Sequence, residues 1–471
     1  MAHEVVIVGG GIGGLTAGAL LAARGVDVCL IEKESRVGGC VTSFEKFNYT
    51  FEPGMGLYSS WHAGETHQRV FSELPVAAPE VRKLSPAYVV RLPDQSDIAV
   101  EEDGNKFTET LHSHFPECAD EAIGFYRDLE RLSKAHCGSQ RPPASTTASK
   151  LGNTSPRFRS FIDAQLQIFA RGDSESCAYS DAIFPLTAPL RGLYAISGGA
   201  SALADALATS IKKSGGMVRT DTTVLRLAYD SEGRASGVDL MTGETVGATR
   251  AIISNLTVWD TYGKLVGLSK TPNDVRNRLK QYSGWGAYLL FVGMDDDASA
   301  RLPADRILGV TDWQEGQVYD PEQAQFTLAA APMWDRRAPD GKRAVTISTV
   351  TEASQWFAFH EDESDLEAQD QAALESWWTR IHALLPELGS GVEVIDTMTP
   401  RDYYQNTRRK LGMVNGISRT GGSLSTGPFL HRTMLPNLFM VGDTVFPGHG
   451  VAAVTQSGLI AANEIAPPLR G

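Results

Sequence analysis

The start of this sequence restricts its fold more than any other stretch. Residues 5–8 form an uninterrupted apolar run, which is typical of a strand covered on both faces of a parallel sheet. A glycine-rich turn follows, then a segment rich in alanine and leucine that stops before Gly25, and then a second apolar run that ends at Glu32. The small side chains of the middle segment allow a helix to pack closely on the sheet. The pattern therefore predicts an α/β fold that begins with strand, turn, helix and strand.

The turn carries the spacing GxGxxG, with Gly9, Gly11 and Gly14 between the first predicted strand and the helix. Backbone N–H groups at such a helix N-terminus hold a pyrophosphate, and an acidic residue at the end of the next strand accepts hydrogen bonds from a ribose. A glycine turn without a ligand is the alternative, but the strand, the helix and the acidic residue are all in register. We predict that a dinucleotide contacts Gly9, Gly11, Gly13, Gly14, Glu32 and Lys33.

Composition excludes several other classes of protein. Acidic residues outnumber basic residues by 56 to 43, and the net charge of -13 repels the phosphates of nucleic acids. The five cysteines are scattered and form no CxxC, which argues against a zinc site or a disulfide framework and favours a reducing compartment. His112 and His114 lack further clustered ligands, so we predict a surface position and no metal. Without a membrane-length apolar stretch or a signal segment, we expect a cytoplasmic protein.

Two adjacent glycines, Gly38 and Gly39, follow the strand that ends at Glu32. Arg36 supplies a guanidinium that offsets the charge of a pyrophosphate, and Gly38 and Gly39 allow the backbone to approach the cofactor closely. This RxGG continuation is uncommon in dehydrogenases that use only NAD and frequent in proteins that bind FAD. The residues therefore favour FAD as the dinucleotide.

With these motifs the chain resembles the FAD-dependent amine-oxidase superfamily, and within it the branch of phytoene desaturase, carotenoid isomerase and retinol saturase. The resemblance extends over nearly the whole chain. The stretch FNYTFEPGMG is similar to the family's FDxG motif, which lines the flavin, although Glu52 replaces the usual aspartate and Pro53 precedes Gly54. The resemblance implies a Rossmann-type FAD-binding domain interleaved with a substrate domain built from a mixed sheet and helices.

A middle block adds to the resemblance. The segment GLYAISGGASALADALATSIKKSGGMVRTDTTVLRL is similar to the family's GGxxxLxxAL helix and the short strand after it, whose backbone holds the adenine in those proteins. This similarity places Val224 at the adenine. It also implies that Asn255, at the end of RAIISN where the chain returns to the nucleotide domain, is a cofactor-binding residue. Taken without the family, the block is an amphipathic helix followed by a strand, which a structural core element explains equally well.

The last block, LPNLFMVGDTVFPGHGVAAVTQSGLIAANEI, is similar to the family's ending GD(S/T)xFPGxGxxxxxxSGxxAA. The resemblance implies that Gly442 and Asp443 contact the ribityl chain and that the turn before Gly450 and Val451 brings the backbone against the pyrimidine edge of the flavin. The following helix N-terminus is positive where negative charge develops upon reduction. The FPG form is closer to the isomerase and saturase group than to amine oxidases, because no tyrosine accompanies Phe446.

Three separated blocks predict a discontinuous FAD-binding domain of residues 1–75, 195–265 and 395–471. The insertions at 76–194 and 266–394 are then the substrate-binding domain. An apolar and aromatic stripe between Phe158 and Phe169 is predicted as helix core, with a tunnel lining as the alternative. The segment 138–156 is loop-like, and either a surface loop or the border of a substrate entrance explains it.

Hydride transfer at flavin N5 requires a substrate C–H near that atom and a dry pocket, which agrees with the lack of a nucleophile or paired-carboxylate motif. A carotenoid-type polyene suits such a site: hydride loss followed by proton loss desaturates it, whereas return of the hydride isomerises it. His449, in the turn beside the flavin edge, and Glu52 are the candidate catalytic residues that stabilise cationic charge or tune the flavin. For both, a turn or pocket residue satisfied by backbone hydrogen bonds is the alternative.

The same motifs are compatible with other functions. A saturase, or a flavin oxidoreductase acting on a different lipophilic substrate, satisfies the same motifs, and so does a non-catalytic flavin- or lipid-binding relative. Since carotenoids reside in lipid, we expect peripheral contact with a membrane. One dinucleotide fingerprint is visible, so we expect electrons to leave to an external acceptor such as a quinone or oxygen.

Overall fold

The computed structural model describes residues 2–135, 145–170, 172–282, 284–311, 320–357, 363–414, 416–417 and 429–468. Its strands in chain order are β1 (Ala2–Val8), β2 (Val28–Ile31), β3 (Phe44–Lys46), β4 (Tyr49–Phe51), β5 (Val81–Lys83), β6 (Tyr88–Arg91), β7 (Asp97–Val100), β8 (Tyr194–Ile196), β9 (Met217–Arg219), β10 (Val224–Tyr229), β11 (Ala235–Leu240), β12 (Thr245–Ser254), β13 (Gly286–Asp295), β14 (Arg306–Val310), β15 (Gln325–Ala330), β16 (Lys342–Thr351), β17 (Val392–Met398) and β18 (Leu438–Met440).

The α-helices in chain order are α1 (Ile12–Ala23), α2 (Thr66–Glu73), α3 (Gly104–His114), α4 (Ala119–Ala135), α5 (Ala148–Leu151), α6 (Pro156–Ala170), α7 (Tyr179–Thr187), α8 (Ala200–Lys213), α9 (Val258–Asp260), α10 (Asn273–Gln281), α11 (Asp296–Ser299), α12 (Pro321–Ala324), α13 (Glu363–Leu384), α14 (Pro400–Thr407) and α15 (Val451–Ile465). Of the loop predicted at 138–156, residues 138–144 lie outside the described residues.

The first sheet has the order β10-β11-β12-β1-β2-β9, and β18 also pairs with β12. β1 pairs in parallel with β12 and β2, and β2 pairs in parallel with β9. The apolar run at residues 5–8 is buried because α1, α8 and α15 cover one face of this sheet, while residues on the other side of β1 and β12 pack on the 258–266 segment. The predicted strand, turn, helix and strand are therefore confirmed.

The second sheet has the order β17-β13-β16-β15-β14-β6-β7 and is antiparallel except where β14 lies parallel to β6. One end of α13 covers the middle strands with apolar side chains such as Trp377 and Ile381. The helices α3, α4, α6 and α7 form an aromatic-rich cluster with β6, β7 and β14. The α/β class with a mixed sheet and helices agrees with the prediction.

Within α6, the predicted stripe is part of this helical cluster. Phe158, Phe161, Ile162 and Leu166 have no exposed surface, which confirms the helix-core interpretation for these four side chains. Phe169 is only partly buried at the end of the helix. The stripe is apolar because it packs on the neighbouring helices and on β14.

The proposed domain boundaries stay a prediction, although each sheet draws on separated segments of the chain. The first sheet takes its strands from residues 2–31, 217–254 and 438–440, and the second takes them from residues 88–100 and 286–398. β17 pairs with β13 and crosses the predicted boundary at residue 394. We therefore propose to move that boundary past α14, because α14 packs against β13 and β17.

The described residues contain neither a metal-binding cluster nor a membrane-spanning helix. No three His, Cys, Asp or Glu side chains in this part of the chain are grouped so that they could hold a metal ion. Nor does any helix within the described ranges combine the length and apolar character needed to cross a membrane. His112 is exposed near the end of α3, and His114 is partly buried there.

Candidate functional site

The glycine-rich turn leaves no room for side chains. Gly11 caps the N-terminus of α1, and a Cβ there would lie 2.5 Å from Nδ2 of Asn255. A Cβ on Gly14 would lie 2.5 Å from the carbonyl oxygen of Gly9, which itself has a positive φ of 99°. Only glycine therefore fits these positions of the turn at the N-terminus of α1, where a helix favours an anionic ligand.

Asn255 lies where the first and last glycine blocks meet. Its backbone N–H donates to the carbonyl of Val8 (2.8 Å), which places it directly after β12 and beside the end of β1. Its Oδ1 would lie 2.9 Å from a Cβ added to Gly13 and 3.2 Å from a Cβ added to Gly442. The sequence predicted Asn255 as a cofactor-binding residue at the end of a returning strand. The structure places it between the N-terminal and C-terminal glycine blocks, and its contact with the cofactor stays a prediction.

The carboxylate of Glu32 is buried at the end of β2, with 7% of the residue exposed. The Gly10 N–H donates to its Oε2 (2.6 Å), and the Glu34 N–H donates to its Oε1 (2.9 Å). The carbonyl of Glu32 accepts from the N–H of Thr222 (2.9 Å), two residues before β10 begins at Val224. The predicted ribose and adenine positions thus lie along one edge of the turn.

The RxGG segment packs its backbone against the same turn. The Gly38 N–H donates to the Gly10 carbonyl (2.8 Å), and a Cβ on Gly39 would lie 3.3 Å from Cα of Gly11. Arg36 is exposed, and Lys33 forms an ion pair with Glu34 at 2.7 Å. The two glycines therefore take part in the turn, and the two basic side chains lie at its rim.

The GD motif follows β18 and begins a second tight turn. Gly442 has a φ of 117°, and its N–H donates to Oγ of Ser457 on α15 (3.2 Å). Oγ of Ser457 is also 3.1 Å from Nε2 of His431, whose pKa is lowered by burial. Neither Ser457 nor His431 was singled out from the sequence, since no motif marks a polar pair that is 26 residues apart.

Asp443 has a partner that sequence reasoning missed. Nη1 and Nη2 of Arg409 donate to its two carboxylate oxygens at 3.2 and 2.9 Å, and Nε of Arg409 donates to the carbonyl of Met413 at 2.8 Å. Arg409 comes just after α14, in the basic run RRK, and the sequence offers no signal that separates it from Arg408 or Lys410. A bidentate pair of this kind fixes the orientation of the carboxylate.

The surroundings of this pair favour the charged form of the arginine. Burial lowers the pKa of Arg409, but the attraction of Asp443, followed by Cys40 and Tyr403, outweighs it and raises the pKa above its usual value. Burial and the neighbouring Cys40 raise the pKa of the Tyr403 phenol well above its ordinary range. Arg409 therefore carries a positive charge and Tyr403 keeps its proton.

His449 lies in the turn between the GD motif and α15. Its Nε2 is 2.7 Å from the carbonyl oxygen of Phe169 at the end of α6. Because a carbonyl oxygen only accepts, this contact requires a hydrogen on Nε2. Gly450 then caps α15 with a φ of 91°, and the helix begins at Val451. The predicted turn thus connects the first sheet to the helical cluster, and the catalytic role of His449 stays a prediction.

Glu52 is held by two fixed partners. Its Oε1 accepts from the N–H of Ala200 at the start of α8 (3.1 Å), and its Oε2 pairs with Nη1 of Arg337 (3.1 Å). These contacts fit the alternative of a pocket residue satisfied by its neighbours. Its role in catalysis stays a prediction.

The assembled residues fit an FAD molecule. The N-terminal turns of α1 and α15 meet, since a Cβ on Gly13 would lie 3.2 Å from the N atom of Gly442 and 3.3 Å from the carbonyl of Val454. Two helix N-termini favour anionic groups, and the buried carboxylate of Glu32 favours ribose hydroxyls. These donors and acceptors suit the phosphate and hydroxyl groups of a dinucleotide, and the contacts of Glu32 and Asp443 with it stay a prediction.

Comparison with known proteins agrees with this geometry. The family described as flavin containing amine oxidoreductase matches residues 12–466. Prolycopene isomerase from Arabidopsis thaliana is 26% identical over 508 residues, which covers 98% of this chain and 82% of that protein. All-trans-retinol 13,14-reductase from Homo sapiens is 23% identical, over 98% and 85% of the two chains. Hydroxyneurosporene desaturase from Rubrivivax gelatinosus is 24% identical, over 98% and 93%.

Solved structures show the same fold. An oxidoreductase from Methanosarcina mazei superposes with a TM-score of 0.69 at 17% identity, and the match covers 98% of this chain and 99% of that one. The relatives are those of the carotenoid desaturase, isomerase and saturase branch, and FAD is the cofactor of this oxidoreductase. The chain belongs to the family of flavin containing amine oxidoreductases.

Proposed function

We propose that this protein acts on a carotenoid-type polyene, by desaturation or by cis–trans isomerisation. The observation that carries the proposal is the apolar character of the elements that meet the cofactor-binding turns. Met55 and Leu57, which follow Glu52, pack against the aromatic-rich helical cluster. His449 contacts the same cluster through the Phe169 carbonyl at the end of α6. An extended apolar substrate suits this junction better than a polar amine does.

Separate parts of the chain would bind the flavin and exclude water from the substrate. Bound flavin supplies a hydride acceptor at N5. We propose that Asp443, which Arg409 orients, accepts hydrogen bonds from ribityl hydroxyls. The N-terminus of α15 would add positive partial charge at the same turn. The apolar cluster excludes water from the reacting carbon, which protects a substrate cation from capture.

The two reactions differ only in the fate of that cation. Loss of a proton from a neighbouring carbon, at the edge of the apolar cluster that solvent reaches, gives a polyene with two hydrogens fewer. The two electrons taken up by the flavin would pass to an external acceptor such as a quinone or oxygen. Return of the hydride gives an isomer of unchanged mass. The names of the relatives support both outcomes, because one is called an isomerase and another a desaturase. Since such substrates reside in lipid, we also propose peripheral contact with a membrane.

A second candidate is saturation of a polyene, which adds two hydrogens. The similarity to all-trans-retinol 13,14-reductase over 98% of the chain favours it. This reaction needs a reductant for the flavin, whereas desaturation needs an acceptor and isomerisation needs neither in net terms. The redox requirement therefore separates the three reactions.

The experiment is anaerobic incubation of FAD-loaded protein with acyclic carotenoids in liposomes, with oxidised and with pre-reduced flavin. Products are identified by absorbance and mass. An unchanged mass with a changed spectrum supports isomerisation, a loss of two hydrogens supports desaturation, and a gain of two supports the saturase alternative. Gly11→Val, whose side chain would collide with Asn255, is the flavin-free control. If every carotenoid is recovered unchanged in both flavin states, the proposal is wrong.

A further inference from the structure

A small cavity lies between the segment at residues 50–56 and the middle of the second sheet. Its free volume is about 20 Å³, which is room for one occupant of the size of a water molecule or a halide ion. Alanines of β15 and β16, among them Ala330 and Ala344, provide the space, and the guanidinium groups of Arg306 and Arg337 line it together with the carboxylate of Glu52. Small apolar residues beside two arginines are an unusual lining.

Among the residues that line the cavity, Arg306 is the one with an unsatisfied buried polar atom. It is the first residue of β14, and only 4% of it is exposed. Nη1 donates to the carbonyls of Asp305 (3.0 Å) and Ala330, and Nη2 donates weakly to the carbonyl of Gly56 (3.4 Å). Nε has no hydrogen-bond partner among the residues that the structure describes. All the acceptors that Arg306 has are therefore neutral carbonyl groups.

The neighbouring arginines are paired differently. Arg337 contacts Glu52 at 3.1 Å and Asp335 at 2.7 Å, and Arg343 forms an ion pair with Asp305. For Arg306, no carboxylate of the described ranges lies within ion-pair distance. Each nearby carboxylate is thus already held by another guanidinium.

This arrangement leaves a buried charge that is poorly compensated. Burial lowers the pKa of Arg306 to about 10, even though Asp305 and Glu52 act in the opposite direction. At neutral pH the group still carries its charge. A buried charge without a counter-charge costs several kcal/mol, so proteins usually pair it. Two guanidinium groups and one carboxylate line the cavity. The carboxylates of Asp335 and Asp305 bind Arg337 and Arg343 outside this lining, so a monovalent anion in the cavity would supply the direct negative partner that Arg306 lacks.

We propose that the cavity binds one small monovalent anion, of halide size, against Nε of Arg306. An uncharged water molecule would satisfy the N–H but would leave the charge of the lining unchanged. The carboxylate of Glu52 does not exclude an anion, because Arg337 and the Ala200 N–H hold its oxygens. The anion would contact the arginines and not the polyene, and its binding can be measured without turnover.

The test is a titration of FAD-loaded protein with sodium bromide at constant ionic strength, with gluconate as the bulky replacement anion. The midpoint of thermal unfolding should rise with bromide and then saturate, since a ligand that binds only the folded state stabilises it. Crystals grown in bromide should show an anomalous peak beside Nε of Arg306. A water molecule at that position, with no anomalous signal, would overturn the proposal.

Two variants and a control complete the test. Arg306→Met removes the donor, and Ala344→Val fills the cavity while it keeps the charge, so both should abolish the bromide-dependent shift. If Arg306→Met does not fold, Ala344→Val decides the question alone. Arg336→Gln removes an arginine that is 43% exposed and paired with Asp296, and it should keep the full shift. A shift of equal size in all variants would also overturn the proposal.

Discussion

Replacement of Arg409 by glutamine would leave the Asp443 carboxylate without its bidentate partner. The two side chains are 11% and 20% exposed, and their nitrogen and oxygen atoms are 2.9 and 3.2 Å apart. Breaking a fully buried pair costs about 3–5 kcal/mol, whereas an exposed pair contributes about 0–1 kcal/mol. Because solvent still reaches one fifth of Asp443, we expect a loss of about 2–3 kcal/mol in the free energy of unfolding.

The measurement is denaturant unfolding of the FAD-free and FAD-loaded protein in a double-mutant cycle. Arg409→Gln should lower the unfolding midpoint, and Arg409→Gln with Asp443→Asn should recover part of the loss, because two neutral amides replace an unpaired carboxylate. We also expect Arg409→Gln to weaken FAD binding by about tenfold. A poorly oriented Asp443 would contribute about 1.4 kcal/mol less to the free energy of FAD binding.

The control is Arg226→Gln, which removes an arginine that is 68% exposed and pairs with Asp239 at 3.0 Å. Its cost should stay below about 1 kcal/mol. The reasoning fails if Arg409→Gln costs no more than this surface variant. It also fails if the two single changes, Arg409→Gln and Asp443→Asn, simply add in the double variant.

Two further predictions concern stability. Gly458→Ala would place a Cβ 2.4 Å from the carbonyl of Gly13, so α1 and α15 must separate at a cost of about 1–3 kcal/mol. The control Gly124→Ala has open space around the new Cβ and should be neutral or stabilising. The denaturant midpoints of both variants test this prediction. Burial lowers the pKa of His67 to about 3, so below about pH 6.5 the unfolded chain binds a proton that the folded chain does not. The free energy of unfolding should therefore fall by up to about 1.4 kcal/mol for each pH unit of acidification below about pH 6.5. His67→Phe should flatten this slope, while His112→Phe at an exposed position should leave it unchanged.

The dinucleotide turn could be predicted because its chemistry is local. The glycines of GxGxxG, the helix after them and Glu32 are all within 32 residues, and each has a residue type that its backbone or ligand requires. The observed backbone explains the glycines, since side chains at Gly11 and Gly14 would collide with Asn255 and with the carbonyl of Gly9. The helix-core interpretation of α6 held for the same reason, because its periodicity reports one buried face.

The pairs across the site could not be predicted. Arg409 contacts Asp443 across 34 residues, and His449 contacts Phe169 across 280. Nothing in one sequence distinguishes Arg409 from the basic residues on either side. Glu52 was a catalytic candidate from its motif, whereas its partners Ala200 and Arg337 became visible only in the folded chain.

The sequence alone determined the cofactor and the fold class, because FAD binding relies on backbone geometry that only glycine and a few polar residues permit. The tertiary structure decided which charges meet. It oriented Asp443 through Arg409, engaged Glu52 with Arg337, and left Arg306 buried beside a cavity without a carboxylate partner in the described part of the chain. The physical reason is that electrostatic energies depend on distance and burial, and both are set by chain segments that are far apart in sequence.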